Sequence, residues 1–512
     1  MDPIGMIIKV AMLVVFFGMM IYVGIRCRRH STDVNSFVLG GRSVGPWLTA
    51  FAYGTSYFSA VIFIGYAGQF GWKFGVASTW IGIGNALIGS LLAWVILGRR
   101  TRLITQKLGT ATMPDYFGKR FESPSLKIGA SIIIFVFLIP YTASLYNGLS
   151  RLFSMAFGID YIWCIVGMSV LTCIYVVVGG YMATAVNDFI QGIIMLIGIV
   201  AVIAAVLNGQ GGFTAALEQL ANVKGDSTVP GAYASFFGPN AFDLLSVVIL
   251  TSLGTWGLPQ MIGKFYAIKD ERSIKKGTII STVFALIVAG GCYFLGGFGR
   301  LFPVDVAKEG FDAVIPAMLK DLPAVLIGVV VILVLSASMS TLSSLVLTSS
   351  STLTLDLIKG NVVKNMKEKT QMTTMRVLIV FFVAISAVIA ILQYKTNTVF
   401  IAQLMGISWG ALAGAFLAPY LFSLYWKRTT KAATWVCFGF GVTVMVLNMV
   451  AKSFFPVWLQ SPINCGAFTM LAGFVIVPIV SLLTPKPKKE FLEDTFSCYD
   501  KEVTTSIKEH LE

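Results

Sequence analysis

Apolar stretches of bilayer-crossing length recur about thirteen times along the chain, since roughly twenty helical residues span the hydrocarbon. They fall at 6–25, 45–70, 75–98, 127–156, 159–179, 181–207, 241–265, 277–300, 323–358, 376–395, 398–425, 430–451 and 464–484. Short polar or basic segments separate most of them. Backbone polar groups in lipid must be satisfied within the segment, which only helices and closed barrels achieve. The pattern therefore predicts an all-α polytopic membrane protein with about 13 transmembrane helices.

Basic residues gather after odd-numbered spans. Arg26, Arg28, Arg29 and Arg42 follow the first, and Arg99, Arg100, Arg102, Lys107, Lys119 and Arg120 the third. Lys269, Arg272, Lys275 and Lys276 follow the seventh, and Lys359, Lys364, Lys367 and Lys369 the ninth. Lys427, Arg428 and Lys431 follow the eleventh, and Lys486, Lys488 and Lys489 open the tail. Cytoplasmic loops carry the excess of Lys and Arg. The expectation is an N-terminus outside and a C-terminus inside.

One stretch interrupts the apolar texture, Ser336 to Thr354, reading SASMSTLSSLVLTSSSTLT. At helical spacing Ser336, Ser340, Ser343, Ser344, Thr348 and Ser351 share a face roughly 140° wide. Lipid cannot satisfy hydroxyls. The stripe packs closely against another helix, returns its protons to the preceding turn, or faces water or a hard cation.

Two spans carry the marks of interruption. The second holds Gly54, Gly65 and Gly68 with Thr55, Ser56 and Ser59 between them; the seventh holds Gly254, Gly257 and Pro259 in TSLGTWGLPQMIG. Paired broken helices in corresponding positions of two halves point to a transporter site. Five spans separate them, which predicts a 5+5 inverted repeat. The expected divisions are 1–44 (first helix and cytoplasmic loop), 45–208 (first repeat), 209–240 (extracellular loop), 241–428 (second repeat), 429–484 (two further helices) and 485–512 (cytoplasmic tail).

Asp188 is expected to be the one carboxylate inside an apolar run, roughly 12 Å along its helix from Gly180. No intramembrane Lys or Arg is an obvious partner in the sequence. That leaves a solvated or protonated acid, a proton carrier or a cation ligand.

Composition agrees with the hydropathy pattern: 56% of the 512 residues are hydrophobic and 12% charged. The net charge of +14 is what cytoplasmic loops of such a protein carry and implies no nucleic-acid partner. Seven scattered cysteines form neither a CxxC nor a disulfide framework. The first run follows an acidic residue and precedes arginines, as a retained helix does. An intramembrane serine enzyme would need a base. The only histidines, His30 and His510, lie outside the apolar runs, so no enzyme is expected.

FVLGGRSVGPWLTA, MPDYFGKRF, VVVGGYMATAVNDFIQ, GLPQMIGKFYA, SMSTLSS and SWGALAGAFLAPYLFSLYWKR occur in that order between Phe37 and Arg428. In these motifs the chain resembles the sodium:solute symporter family. The resemblance implies a sodium site made by the carbonyls of Thr55, Phe58 and Ala337 and the hydroxyls of Ser340 and Thr341. It maps a second sodium onto Asp188, Ser340, Ser343 and Ser344. Substrate candidates between the broken helices are Ser59, Tyr141, Asn147, Thr251, Trp256, Gln260 and Gln403. Thr251 and Thr255 stand where proline transporters of the family carry aromatics, and Tyr57 where they carry an acid.

The expected function is sodium-coupled import of a small organic solute bearing a carboxylate (an amino acid such as proline, pantothenate or a monocarboxylate). Its setting is the lipid bilayer of the plasma membrane, with sodium as coupling ion, no other cofactor and no obligate protein partner. A proton-coupled symporter using Asp188 and a non-transporting solute sensor remain open.

Overall fold

The structure, a computed structural model, describes residues 3–27, 34–225, 227, 229–359, 361–363, 365–396 and 401–503. Arg28, Arg29, His30, Lys364 and His510, and residues 398–400 of the eleventh predicted span, lie outside the described residues. The predicted apolar runs are mostly helical where they are described, and the described residues hold no strand beyond two isolated bridges.

The helices used below are α1 (Pro3–Cys27), α2 (Pro46–Tyr57), α3 (Val61–Lys107), α4 (Pro124–Phe157), α5 (Tyr161–Gly209), α6 (Ala241–Trp256), α7 (Pro259–Tyr266), α8 (Glu271–Gly296), α9 (Ala324–Thr352), α10 (Glu368–Thr396), α11 (Ile401–Tyr425), α12 (Lys431–Val450), α13 (Pro462–Leu483) and α14 (Lys489–Phe496).

The count of spanning helices among the described residues differs from the thirteen expected runs because neighbouring runs join end to end. Ten described helices are long and apolar enough to cross a membrane, or eleven if α6 and α7, bent by 42°, form one span. At Gly75 (φ +61°, ψ −144°) the chain reverses: Gly54 and Gly71 lie against Phe284 and Gly296 of α8, and Gly82 and Gly98 run back along it to Gly290 and Ile274, so 61–70 and 75–98 stay two runs. Helix α5 runs 49 residues through Gly179 and Gly180, about 74 Å at 1.5 Å per residue, more than one crossing needs. Two glycines lower helix propensity by about 1 kcal/mol each. That is too little to stop a helix whose neighbours continue it.

Helix α9 packs against α2, α4 and α5, and α5 against α2 and α4. Helix α8 packs on α2 and α3, and α11 is flanked by α12 and α13. Small residues allow the close approaches that hold helices together in lipid. A Cβ on Gly71 of α3 would lie 2.0 Å from the Gly296 carbonyl oxygen, and one on Gly296 would lie 2.1 Å from that of Ala67. The two backbones therefore touch, and only glycine fits.

Candidate functional site

Both expected interruptions are present, for different reasons. Helix α2 ends at Tyr57, Phe58 is extended (φ −85°, ψ 130°), and helix resumes at Val61. At the second break Leu258 is extended (φ −84°, ψ 123°) and Pro259 opens α7. A residue before proline is driven out of the helical region, and proline is favoured at a first helical position. No proline explains the first break, nor do its glycines. A Cβ on Gly54 would lie 2.5 Å from the Phe284 ring, so that glycine makes room for α8 instead. The first break is held by α9: Ala60 N donates to Ser338 Oγ at 3.0 Å, and Thr341 Oγ1 donates to the Phe58 carbonyl at 3.1 Å.

The five oxygens assigned to the main sodium site converge there. Ser340 Oγ lies 2.9 Å from both the Thr55 and the Ala337 carbonyl oxygens. Thr341 Oγ1 lies 3.2 Å from Thr55 O and 3.1 Å from Ala337 O. All five residues are buried. Carbonyl and hydroxyl oxygens are hard donors suited to a hard cation. Each hydroxyl can rotate its proton away and present a lone pair instead.

The rest of the hydroxyl stripe divides. Ser343 Oγ donates to Ser340 O at 2.9 Å and Ser351 Oγ to Thr348 O at 3.2 Å, both returning to their own helix. Ser344 Oγ reaches across to Ser56 Oγ at 2.9 Å. Ser336 Oγ is buried with no hydrogen-bond partner among the described residues.

The structure corrects the reading of Asp188 twice. It has a basic partner: Lys264 Nζ of α7 lies 3.8 Å from Asp188 Oδ2, both side chains being buried. That ammonium also donates to Ser344 Oγ at 3.1 Å and sits 5.1 Å from the Tyr181 ring centre. Lys264 lies in GLPQMIGKFYA, at the far end of a short amphipathic half-helix, and only tertiary packing brings it to α5. Nor is Asp188 the one buried carboxylate. Asp356 accepts from Thr112 Oγ1 at 2.6 Å and pairs with Lys127 at 3.3 Å. Asp312 is buried 3.9 Å from Arg151 Nε.

The substrate candidates separate into three places. Ser59 and Tyr141 are buried at the first break, where Trp409 lies between Tyr57 (5.8 Å between ring centres) and Tyr141 (5.9 Å). Asn147 belongs to a group further along α4: its carbonyl and Oδ1 both accept from Tyr161 at 3.0 Å, and its amide donates to Gln393. Thr251 returns its proton to Val247 O, and Trp256 Nε1 donates to Ile88 O, so both serve packing in this conformation. Gln260 lines a cleft with Lys264 and Ser344, and Gln403 is half-buried on α11. Tyr57 and Trp409 were not among the sequence candidates. Their only signal was proximity to motifs, since aromatics abound in apolar helices.

The family model described as "Sodium:solute symporter family" matches residues 37–441. The sodium/proline symporter of Staphylococcus aureus (strain JH9) is 30% identical over 501 residues, covering 94% of this chain and 92% of the relative. The osmoregulated proline transporter of Bacillus subtilis (strain 168) is 28% identical over 489 residues, covering 93% and 94%. A Na+-coupled sialic acid symporter, solved in a substrate-bound outward-open state, superposes with a TM-score of 0.72 at 16% identity, over 94% of this chain and 99% of that one. At that identity it speaks for the transporter fold alone.

Proposed function

The chain belongs to the sodium:solute symporter family, and on that premise we propose that it imports a small carboxylate-bearing solute in symport with sodium across the plasma membrane. The supporting observation is the meeting of Thr55, Phe58, Ala337, Ser340 and Thr341 at the first helix break. Sodium bound there bridges α2 to α9. It stabilises the conformations in which the two helices are close and is lost when they part. That differential affinity is what coupling requires. A negative-inside potential adds about 2.3 kcal/mol per charge per 100 mV to inward movement.

The 5+5 repeat, the outside N-terminus and the inside C-terminus belong to this proposal. Solute would bind beside Ser59, among Tyr57, Tyr141 and Trp409. The N-terminus of α7 favours a carboxylate. Proline is the first solute to try, because the relatives are proline transporters. Pantothenate and monocarboxylates follow, because Tyr57, Thr251 and Thr255 depart from the proline pattern.

The test is uptake of labelled proline, pantothenate and lactate into proteoliposomes. An inward sodium gradient should drive accumulation of one of them, and potassium in its place should abolish it. Uptake driven equally by a proton gradient in potassium would replace sodium by proton coupling. Solute-dependent thermal stabilisation without uptake would make the protein a sensor.

A further inference from the structure

Resting on the symport reading, we propose that the Lys264 ammonium is a tethered substitute for a second coupling cation, so that this chain binds one sodium per cycle. The residues that would hold a second sodium are Asp188, Ser340, Ser343 and Ser344. Lys264 Nζ lies among them, 3.1 Å from Ser344 Oγ and 3.8 Å from Asp188 Oδ2. Ser343 spends its proton on the Ser340 carbonyl, and Ser344 is shared with Ser56. Neither Asp188 oxygen has a hydrogen-bond partner among the described residues. The acid is therefore compensated by charge rather than by hydrogen bonds.

Charge balance makes the choice exclusive. One buried carboxylate beside one ammonium is neutral. A sodium added to that pair would leave a net positive charge out of water, close to a like charge, in a medium that screens poorly. Without the lysine, the same carboxylate and hydroxyls are an oxygen-only set with one negative charge, which suits a sodium. The ammonium thus supplies the charge that a second ion would otherwise bring.

The placement also gives the substitute a way to leave. Lys264 is on α7, Asp188 on α5 and Ser344 on α9, so the contact exists only while the half-helix after the second break lies against the other two. Gln260, Lys264, Ser344 and Thr348 line one cleft, which offers the ammonium water when α7 moves. A diffusible ion would be released at this step; a tethered one returns without being transported.

The experiment is equilibrium binding of radioactive sodium alone to the purified full-length protein, at fixed ionic strength with potassium as the balancing cation. Wild type should bind one sodium. Lys264→Ala and Lys264→Thr should bind two, and the Hill coefficient for stabilisation by sodium should rise from about one towards two. Lys264→Met combined with Asp188→Asn leaves no unpaired buried charge, and should fold and bind one. Two sodium ions in the wild type overturn the assignment whatever the variants do. So does a single ion in a monodisperse Lys264→Ala or Lys264→Thr protein. Absence of sodium binding in every form overturns the symport reading itself.

Discussion

Thr341 Oγ1 lies 3.1 Å from the carbonyl oxygen of Phe58, a residue 283 positions away in the chain. Phe58 is the extended residue that breaks α2, and its carbonyl is free because the helix does not continue. The hydroxyl that satisfies this carbonyl therefore also holds the break in place. Removing it loosens the break and deletes a cation ligand together.

Ser340→Ala combined with Thr341→Ala should raise the sodium concentration for half-maximal uptake by about tenfold or more, the worth of one or two oxygen contacts. Solute affinity at saturating sodium should change less. The check is uptake titrated with sodium at fixed solute, then with solute at saturating sodium. Unchanged sodium dependence would remove these two hydroxyls from the ion site.

Gly71→Ala and Gly296→Ala should each destabilise the protein. The new methyl would meet backbone rather than a side chain that can turn away, at 2.0 and 2.1 Å. Overpacking of this kind costs about 1–3 kcal/mol. A lowered thermal midpoint and folded yield in detergent should follow for both. Gly18→Ala has nothing within 4 Å of the added carbon and should be neutral.

Asp312, between α8 and α9, is pushed up to about 6 by burial, against the pull of Arg151 and the backbone amide of Ile401. A carboxyl whose folded pKa lies above its unfolded one binds more protons folded. Its contribution is fully present below pH ~4 and is lost as pH rises through about 6. With a shift of about two units, the loss is on the order of 3 kcal/mol. Thermal midpoints of Asp312→Asn should be flatter than wild type between pH 4 and 6. Parallel curves would show that this group does not titrate in that window.

Arg42 threads its guanidinium among the Thr110, Thr105 and Tyr266 carbonyls and the Thr105 hydroxyl, with Thr110 O only 2.5 Å away. Burial lowers its pKa to about 10, so it stays charged at neutral pH. A lysine has no fork to reach several carbonyls at once. Arg42→Lys should therefore cost stability almost as Arg42→Ala does, about 1–3 kcal/mol for carbonyls left unpaired. Thermal denaturation of both variants beside wild type tests this; full recovery by lysine would show that charge alone matters there.

Much of this protein was legible in its sequence because hydropathy and local backbone preference act over short stretches. The apolar runs marked where helices form, Pro259 marked the second break, and the hydroxyl stripe from Ser336 to Ser351 marked a helix with polar groups to satisfy, which the family resemblance set against the first break. What the chain alone left undecided were relationships across distance. Whether 159–179 and 181–207 are one helix or two depends on an unbroken hydrogen-bond ladder through Gly179 and Gly180, not on apolarity. The first break falls at Phe58, which no local rule selects, because hydroxyls of α9 stand in for the missing helical bonds. Lys264, near the end of the seventh apolar run, has no partner visible in the sequence, and its charge meets Asp188 only when the fold brings α7 beside α5. A buried charge needs an opposite charge or hydrogen-bonding groups brought to it, and that pairing is made by the tertiary fold.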